Sequence, residues 1–310
     1  MTDAVAIGVD LGGTKTAAGL VLPGGDVELH CTASTPAVEG PEAMIDNIIA
    51  LVTEIRHKAA RSGLPTAAAI GIGSAGVIDS DHGTVLSATH NLSDWGGTPL
   101  ADLISTRTGL PVRVVNDVHA HGIGEARHGA GRGLKRLLMV AVGTGIGGSL
   151  LVDGAHVAGA RHAAGHLGHT PTHAAAGLLC TCGRTGHLEA IASGTGLLAM
   201  YHRRGGSAPD NRSLIALAES GDPLALDCVA VAARALGEAV GGWVNTLDPD
   251  AVIISGGLAQ SGPLWWSMVI EAARSHYIDA VSECPLLPAE RGTQAAILGA
   301  AAFSLGAERP

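Results

Sequence analysis

In a glycine-rich segment between residues 165 and 189, two of the four histidines and both cysteines are spaced in a pattern suited to metal binding. The candidate ligands are His169, Cys180, Cys182 and His187. Zinc prefers four nitrogen or sulfur ligands in a tetrahedron, and a loop closed by such an ion needs no hydrophobic core of its own. Two structural thiols among scattered surface histidines are the alternative, although a Cys-x-Cys pair bracketed by histidines rarely arises without a metal. The pattern therefore predicts a structural zinc ion, which would also fix the carboxylate of Glu189.

Two further segments are glycine-rich turns that follow apolar stretches. The first glycine turn, after Asp10, contains Gly12, Gly13, Thr14 and Lys15; the second, residues 143–148, contains Gly143, Thr144, Gly145 and Gly147. Glycines let backbone N–H groups approach phosphate oxygens, while Thr14 can donate its hydroxyl and Lys15 adds positive charge. Asp10 can hold Mg²⁺ through water. One glycine hairpin is often only a hairpin, but the recurrence of the pattern predicts a nucleotide-phosphate site.

The turns also limit which nucleotide-binding fold is possible. Neither has the Gly-x4-Gly-Lys-Ser/Thr spacing of a P-loop, so that fold is disfavoured. Gly256 and Gly257, after a further apolar stretch, predict a third close backbone approach, suited to the adenosine end of a nucleotide.

Asn116 and Asp117 end an apolar strand. A carboxylate at such a strand end can accept a hydroxyl proton and align that hydroxyl with a phosphorus atom. The alternative is an Asx turn that caps the next helix. Asn91 lies in a polar loop, where it could bind a hydroxyl or be an ordinary turn asparagine. Asp117 is thus the candidate base.

The elements that position these residues can be predicted from hydrophobic periodicity. Strands are expected at 4–9, 16–22, 27–31, 67–72, 112–115, 137–142, 149–152 and 251–254, and helices at 42–60, 224–247 and about 293–305. The arrangement of strand, glycine turn and strand occurs twice, which indicates two similar α/β domains. We expect one domain to comprise 1–115 plus about 296–310, and the other 116–295.

Composition excludes several classes of protein. The 310 residues are enough for two domains, and 46% hydrophobic with 15% charged residues is typical of a globular chain. A net charge of -9 and only 2% aromatic residues argue against nucleic-acid binding. No signal peptide precedes the first strand, and no apolar run reaches the ~18–20 residues of a membrane span. We therefore expect a cytoplasmic protein with no membrane partner.

Taken in order, the motifs resemble the ROK (repressor, open reading frame, kinase) family across almost the whole chain. They are the first glycine turn with Asp10, Asn116-Asp117, the second glycine turn, Gly165 to His169, the Cys-x-Cys-Gly loop with Glu189 to Gly194, and Asp248-Pro249 with Ser255 to Gly257. The resemblance implies an actin-like, hexokinase-type (ribonuclease H-like) fold of two α/β domains around a cleft for a sugar and ATP. It implies Asp117 as the catalytic base and a homodimer. The implied sugar contacts are Asn91, Asn116, His169 and Glu189, with His169 also binding zinc.

Two positions depart from the family pattern. His187 replaces the third zinc cysteine, and imidazole remains a competent ligand. His166 replaces the glutamate that most sugar kinases of the family carry, and in this it resembles bacterial N-acetylmannosamine kinases. A carboxylate accepts hydrogen bonds from two sugar hydroxyls, whereas a neutral histidine offers one donor and one acceptor. His166 is therefore expected to contact the sugar and alter its choice.

The expected activity is ATP-dependent phosphorylation of the 6-hydroxyl of an N-acetylhexosamine, with N-acetylmannosamine as the first choice. Glucose, N-acetylglucosamine or another hexose is the alternative. A sugar-sensing repressor is a distant one, because that branch carries a helix-turn-helix domain ahead of the first strand, which here starts at Ala4. A non-catalytic sugar-binding module would be expected to have lost Asp117.

Overall fold

The computed structural model describes residues 4–88 and 92–306, which form two compact units. The first unit comprises the chain up to Lys135, Ser149–Gly165 and the chain from Glu290 onward. The second comprises Arg136–Gly148 and His166–Ala289. Among the described residues, no helix combines the length and apolar character needed to cross a membrane.

The strands are β1 (Ala6–Leu11), β2 (Lys15–Val21), β3 (Val27–Ser34), β4 (Ala69–Ser74), β5 (Val77–Asp79), β6 (Thr84–Ser87), β7 (Val112–Asn116), β8 (Arg136–Val142), β9 (Ile146–Val152), β10 (Ala155–His156), β11 (Ala251–Ser255) and β12 (Leu286–Pro288). The helices are α1 (Pro41–Arg61), α2 (Leu100–Thr108), α3 (Asp117–His128), α4 (Glu189–Ala192), α5 (Gly194–Arg203), α6 (Asn211–Glu219), α7 (Pro223–Leu247), α8 (Gly262–Ser275) and α9 (Ala295–Ser304).

Two five-stranded sheets share one plan. The first has the order β3-β2-β1-β4-β7 and the second β10-β9-β8-β11-β12. In the first sheet β4 is parallel to β1 and β7, and in the second β11 is parallel to β8 and β12. Each sheet therefore ends in parallel strands whose carboxyl ends share one edge, the usual place for ligands in α/β folds.

Close backbone packing joins α9 to the first sheet and to α3. A Cβ atom on Gly71 of β4 would lie 1.7 Å from the carbonyl oxygen of Ala300, and one on Gly299 would lie 1.7 Å from that of Ala120. Glycine is the residue that permits such an approach. Our expected boundary near residue 116 differs from the observed division, because this packing makes α3 part of the first unit. Residues 149–165 also belong to that unit.

Candidate active site and metal centre

A pair of carboxylates lies at the carboxyl edge of the first sheet. Asp10 is the second-last residue of β1, and Asp117 directly follows β7. Gly73 of β4 pairs with Asp10, and a Cβ atom there would lie 3.4 Å from the Cα atom of Asp117. Burial and the neighbouring Asp117 raise the pKa of Asp10 to about 7, against the opposing effect of Lys15. The edge thus concentrates negative charge, which a divalent cation would relieve.

Asn116 is the N-cap of α3. Its Oδ1 accepts the backbone N–H groups of Val118 and His119 at 2.9 and 3.1 Å, and its Nδ2 donates to the Gly76 carbonyl at 2.9 Å. The Asx turn that the sequence left open is therefore present. It places Asp117 as the first residue of α3, where the helix N-terminus stabilises negative charge.

The first glycine turn is braced by a buried threonine that sequence reasoning missed. The Thr35 hydroxyl donates to the Gly12 carbonyl at 2.7 Å, and the Thr35 N–H donates to the Thr14 carbonyl at 3.0 Å. Gly13 has no positive φ, and a Cβ atom there would meet nothing within 4 Å. Neither conformation nor packing within the protein therefore explains a glycine at 13, and its exposed backbone is open to a ligand.

The second glycine turn is held by two helices of the second unit. The Glu189 Oε2 atom accepts the Ile146 N–H at 2.9 Å, and the Gly143 carbonyl accepts the Gly194 N–H at 2.8 Å. A Cβ atom on Gly145 would lie 2.5 Å from Glu189 Oε2, so Gly145 packs directly on the carboxylate. Glu189, predicted to contact the sugar, thus contacts this turn. Gly147 lies within β9.

A cavity of about 1080 Å³ opens beside the second glycine turn, entirely within the second unit. Gly143, Thr144 and Gly257 line it together with residues of α5 and α6. A Cβ atom on Gly143 or Gly257 would meet nothing within 4 Å, so both glycines leave space that a ligand can use. Gly256 differs, because its φ of 93° and its approach to the Val142 carbonyl give it a structural role. Volumes of this order accommodate nucleotide-sized ligands.

The four predicted metal ligands lie together. His169, Cys180, Cys182 and His187 each offer a ligand atom within 4.8 Å of the others. The Sγ atom of Cys180 lies 3.6 Å from His169 Nδ1, and that of Cys182 lies 3.2 Å from His187 Nδ1. Ligands of a tetrahedral zinc ion lie about 3.3–3.8 Å apart, so these residues fit zinc without a large rearrangement.

Burial is the largest influence on the pKa values of two of these ligands, His169 and Cys180. Burial lowers the pKa of His169, which keeps its ring neutral and able to bind a metal, and the adjacent Glu189 opposes that effect. Burial raises the pKa of the Cys180 thiol, so a metal ion would have to displace its proton.

A second group, Asp79, Asp81 and His162, also brings three possible metal ligands together. Asp79 Oδ1 already accepts the backbone N–H groups of Asp81 and His82 at 3.1 and 3.2 Å, and Oδ2 contacts the His82 ring at 2.8 Å. These bonds form a turn after β5 and account for the proximity of Asp79 and Asp81, while His162 Nε2 lies 3.6 Å from Asp79 Oδ1.

His166 and Asn91 complete the predicted site residues. His166 is exposed and precedes the short 3-10 helix Leu167–His169, and its ring stacks on that of His169 with centroids 6.1 Å apart. Asn91 lies outside the described residues.

Comparison with known proteins gives a consistent result along the whole chain. The ROK family model matches residues 6–306. A glucokinase of Thermotoga maritima is 32% identical over 312 residues, 96% of each chain. An N-acetylmannosamine kinase of Escherichia coli is 32% identical over 304 residues, 97% of this chain and 98% of the relative.

Solved structures agree. A ROK family glucokinase from Streptomyces griseus, in complex with glucose and AMPPNP, has a TM-score of 0.82 and 32% identity, covering 98% of this chain and 100% of its own. The expected actin-like, hexokinase-type α/β fold is therefore confirmed. Because the family model spans nearly all of the sequence and relatives of 32% identity cover it almost completely, this chain belongs to the ROK family.

Proposed function

We propose that this protein transfers the γ-phosphoryl group of ATP to the 6-hydroxyl of an N-acetylhexosamine, with N-acetylmannosamine as its substrate. The broader class is already established: this ROK protein is an ATP-dependent carbohydrate kinase, since its relatives of 32% identity are sugar kinases by name and one is solved with glucose and AMPPNP. The observation that supports the choice of sugar is His166, an exposed ring stacked on His169.

His166 suits an N-acetylated sugar for a chemical reason. A neutral imidazole offers one N–H donor and one nitrogen acceptor, so it can donate to an amide carbonyl and accept from a hydroxyl. A glutamate in its place would offer acceptors only, which favours a sugar that presents two hydroxyls.

Asp117 is the proposed base. Its carboxylate would take the proton of the sugar 6-hydroxyl as that oxygen bonds to the γ-phosphorus of ATP, and ADP would leave with the electron pair of the broken P–O bond. Asp10, in the same sheet edge, would hold Mg²⁺ through water, and the cation would offset the charge that the two carboxylates share.

The cavity of the second unit is the proposed donor site. The phosphates would lie against the backbone of Gly143 and Thr144, near the N-terminus of α5 at Gly194, where the helix dipole stabilises anions. The nucleoside would extend past Gly257, whose missing side chain leaves space in the cavity. The first glycine turn is a separate proposed phosphate contact, through the exposed backbone N–H of Gly13.

We propose that the cluster formed by His169, Cys180, Cys182 and His187 binds one structural zinc ion. The zinc would supply a fixed anchor for the loop, and through it would set the positions of His169 and Glu189. We further propose that the protein is a cytoplasmic homodimer. The cytoplasmic location is proposed because ATP is a cytoplasmic metabolite. Light scattering coupled to size-exclusion chromatography would test the oligomeric state.

Glucose is the second candidate substrate, because the glucokinase relative matches the chain as well as the N-acetylmannosamine kinase does. A coupled ADP-release assay over N-acetylmannosamine, N-acetylglucosamine, mannose and glucose separates the two. We expect the highest kcat/KM with N-acetylmannosamine. A preference for glucose would assign the chain to the glucokinases and remove His166 as the determinant.

A further inference from the structure

We infer that the metal loop, residues 169–187, sets the position of the second glycine turn through Glu189, with Thr181 as the positioning residue. The inference rests on the proposed function, because it takes the second glycine turn to be part of the donor site. It extends that function by linking the metal loop to nucleotide binding as well as to the sugar.

The link consists of one carboxylate with partners at both oxygens, and its Oε1 atom also accepts the Cys180 thiol at 3.8 Å. Glu189 Oε1 accepts the Thr181 hydroxyl at 2.5 Å, and Glu189 Oε2 accepts the Ile146 N–H at 2.9 Å. Thr181 is the residue between the two cysteines, and Ile146 is the first residue of β9, within the glycine turn. A carboxylate held at both oxygens has a fixed orientation, and hydrogen bonds to an ionised group are the stronger kind.

The contacts around Ile146 leave the turn little freedom. A Cβ atom on Gly145 would lie 2.5 Å from Glu189 Oε2, and one on Gly168 would lie 2.4 Å from the Ile146 carbonyl oxygen. Gly168 immediately precedes the metal loop and its ligand His169. The residue next to the loop therefore contacts the Ile146 carbonyl, and the loop itself reaches the Ile146 N–H through Glu189. A shift of the loop would therefore move the turn.

The position of the turn matters because its next residues form the cavity wall. Gly143 and Thr144 line the cavity, and the Gly143 N–H donates to the Gly145 carbonyl at 2.9 Å. If Glu189 rotated away, Gly145 and Ile146 would lose their support. The backbone N–H groups proposed to meet the phosphates would then no longer be held in place.

The test is Thr181→Val, which keeps the shape of the side chain and removes its hydroxyl. Thr181→Ser should behave as wild type. Thr185→Val is the matched control, since it makes the same change in the same loop at an exposed threonine. We expect Thr181→Val to keep its zinc content and to raise the Kd of Mg²⁺·AMPPNP, measured by calorimetry, about threefold to tenfold, as for a hydrogen bond to a charged group at an exposed site.

Gly143→Ala separates this inference from the proposed donor site, because its methyl group would enter open space in the cavity. If Gly143→Ala weakens nucleotide binding and Thr181→Val does not, the link through Glu189 is wrong and the donor site stands. If neither variant weakens binding, the donor site itself is misplaced. Loss of zinc in Thr181→Val would also overturn the inference, because Thr181 would then be supporting the metal rather than Glu189.

Discussion

Replacement of Asp10 by asparagine should stabilise this protein, and more so at high pH. Asp10 is held beside Asp117, and burial and that neighbour raise its pKa from 3.8 to about 7. The folded state therefore disfavours the ionised carboxylate. Because the folded-state pKa lies above the unfolded one, this destabilisation is absent below 3.8, grows as pH rises and is complete above about 7.

The magnitude follows from the size of the shift. One pKa unit corresponds to about 1.4 kcal/mol, so the ionised Asp10 lowers the free energy of unfolding by about 4 kcal/mol at pH 8. At pH 5 the folded protein keeps Asp10 protonated, and the penalty is about 2 kcal/mol. Asp10→Asn should therefore gain about 2–3 kcal/mol more at pH 8 than at pH 5.

The assay is urea unfolding of wild type and Asp10→Asn at both pH values, without added magnesium or nucleotide. Glu39→Gln is the control, since it makes the same change of carboxyl to amide at an exposed position. The difference between the two pH values is the informative quantity, because it cancels any hydrogen bond that the asparagine gains or loses. An equal effect at pH 5 and pH 8 would refute the reasoning, since Asp10 would then titrate normally.

Three further outcomes are expected. Asp117→Asn should lower kcat by about 10²- to 10⁴-fold, because the variant loses only the proton acceptor, and calorimetry should show that sugar binding is retained. Near-normal turnover would show that Asp117 serves only as the first residue of α3. Elemental analysis should find about one zinc per chain in the wild type. The double variant Cys180→Ser/Cys182→Ser should lose the zinc and, with it, stability and sugar affinity. A fully active, zinc-free wild-type protein would exclude the metal site. His166→Glu should shift relative kcat/KM toward glucose by about tenfold, and an unchanged ranking of sugars would show that this residue does not select the substrate.

Elements with one apolar face could be predicted from the sequence. Helix α1 begins at Pro41 and buries residues at helical spacing, and it was expected at 42–60. The packing of helix α9 is harder to predict from the sequence. Nearly all of its residues are apolar and buried, so its periodicity indicates no particular buried face. Its partners are glycines at 8, 71 and 124, whose contacts are made by the backbone. Patterns of side-chain polarity cannot reveal such contacts, so they do not predict that α3 belongs to the first unit.

The site residues also divide into those that a local sequence pattern reveals and those that it does not. Asp117 could be found because the end of a strand is visible in the sequence, and the cysteine loop because its ligands are close together. The brace from Thr35 to Gly12 and the bond from Glu189 to Ile146 join residues 23 and 43 positions apart. No local pattern records either pairing. The sequence shows Thr35 only as a threonine after a predicted strand, and its burial appears only in the structure.

The two sheets have the same strand order, but they differ in the residues at the carboxyl ends of their strands. The second-last residue of β1 is Asp10 and the residue after β7 is Asp117, whereas the second-last residue of β8 is Ala141 and the residue after β12 is Ala289. If the plan arose by duplication, the acidic pair belongs to one copy alone, and the other is free of the repulsion that accompanies it. The loss of stability that the acidic pair causes should therefore fall on the first unit alone, where burial and Asp117 raise the pKa of Asp10.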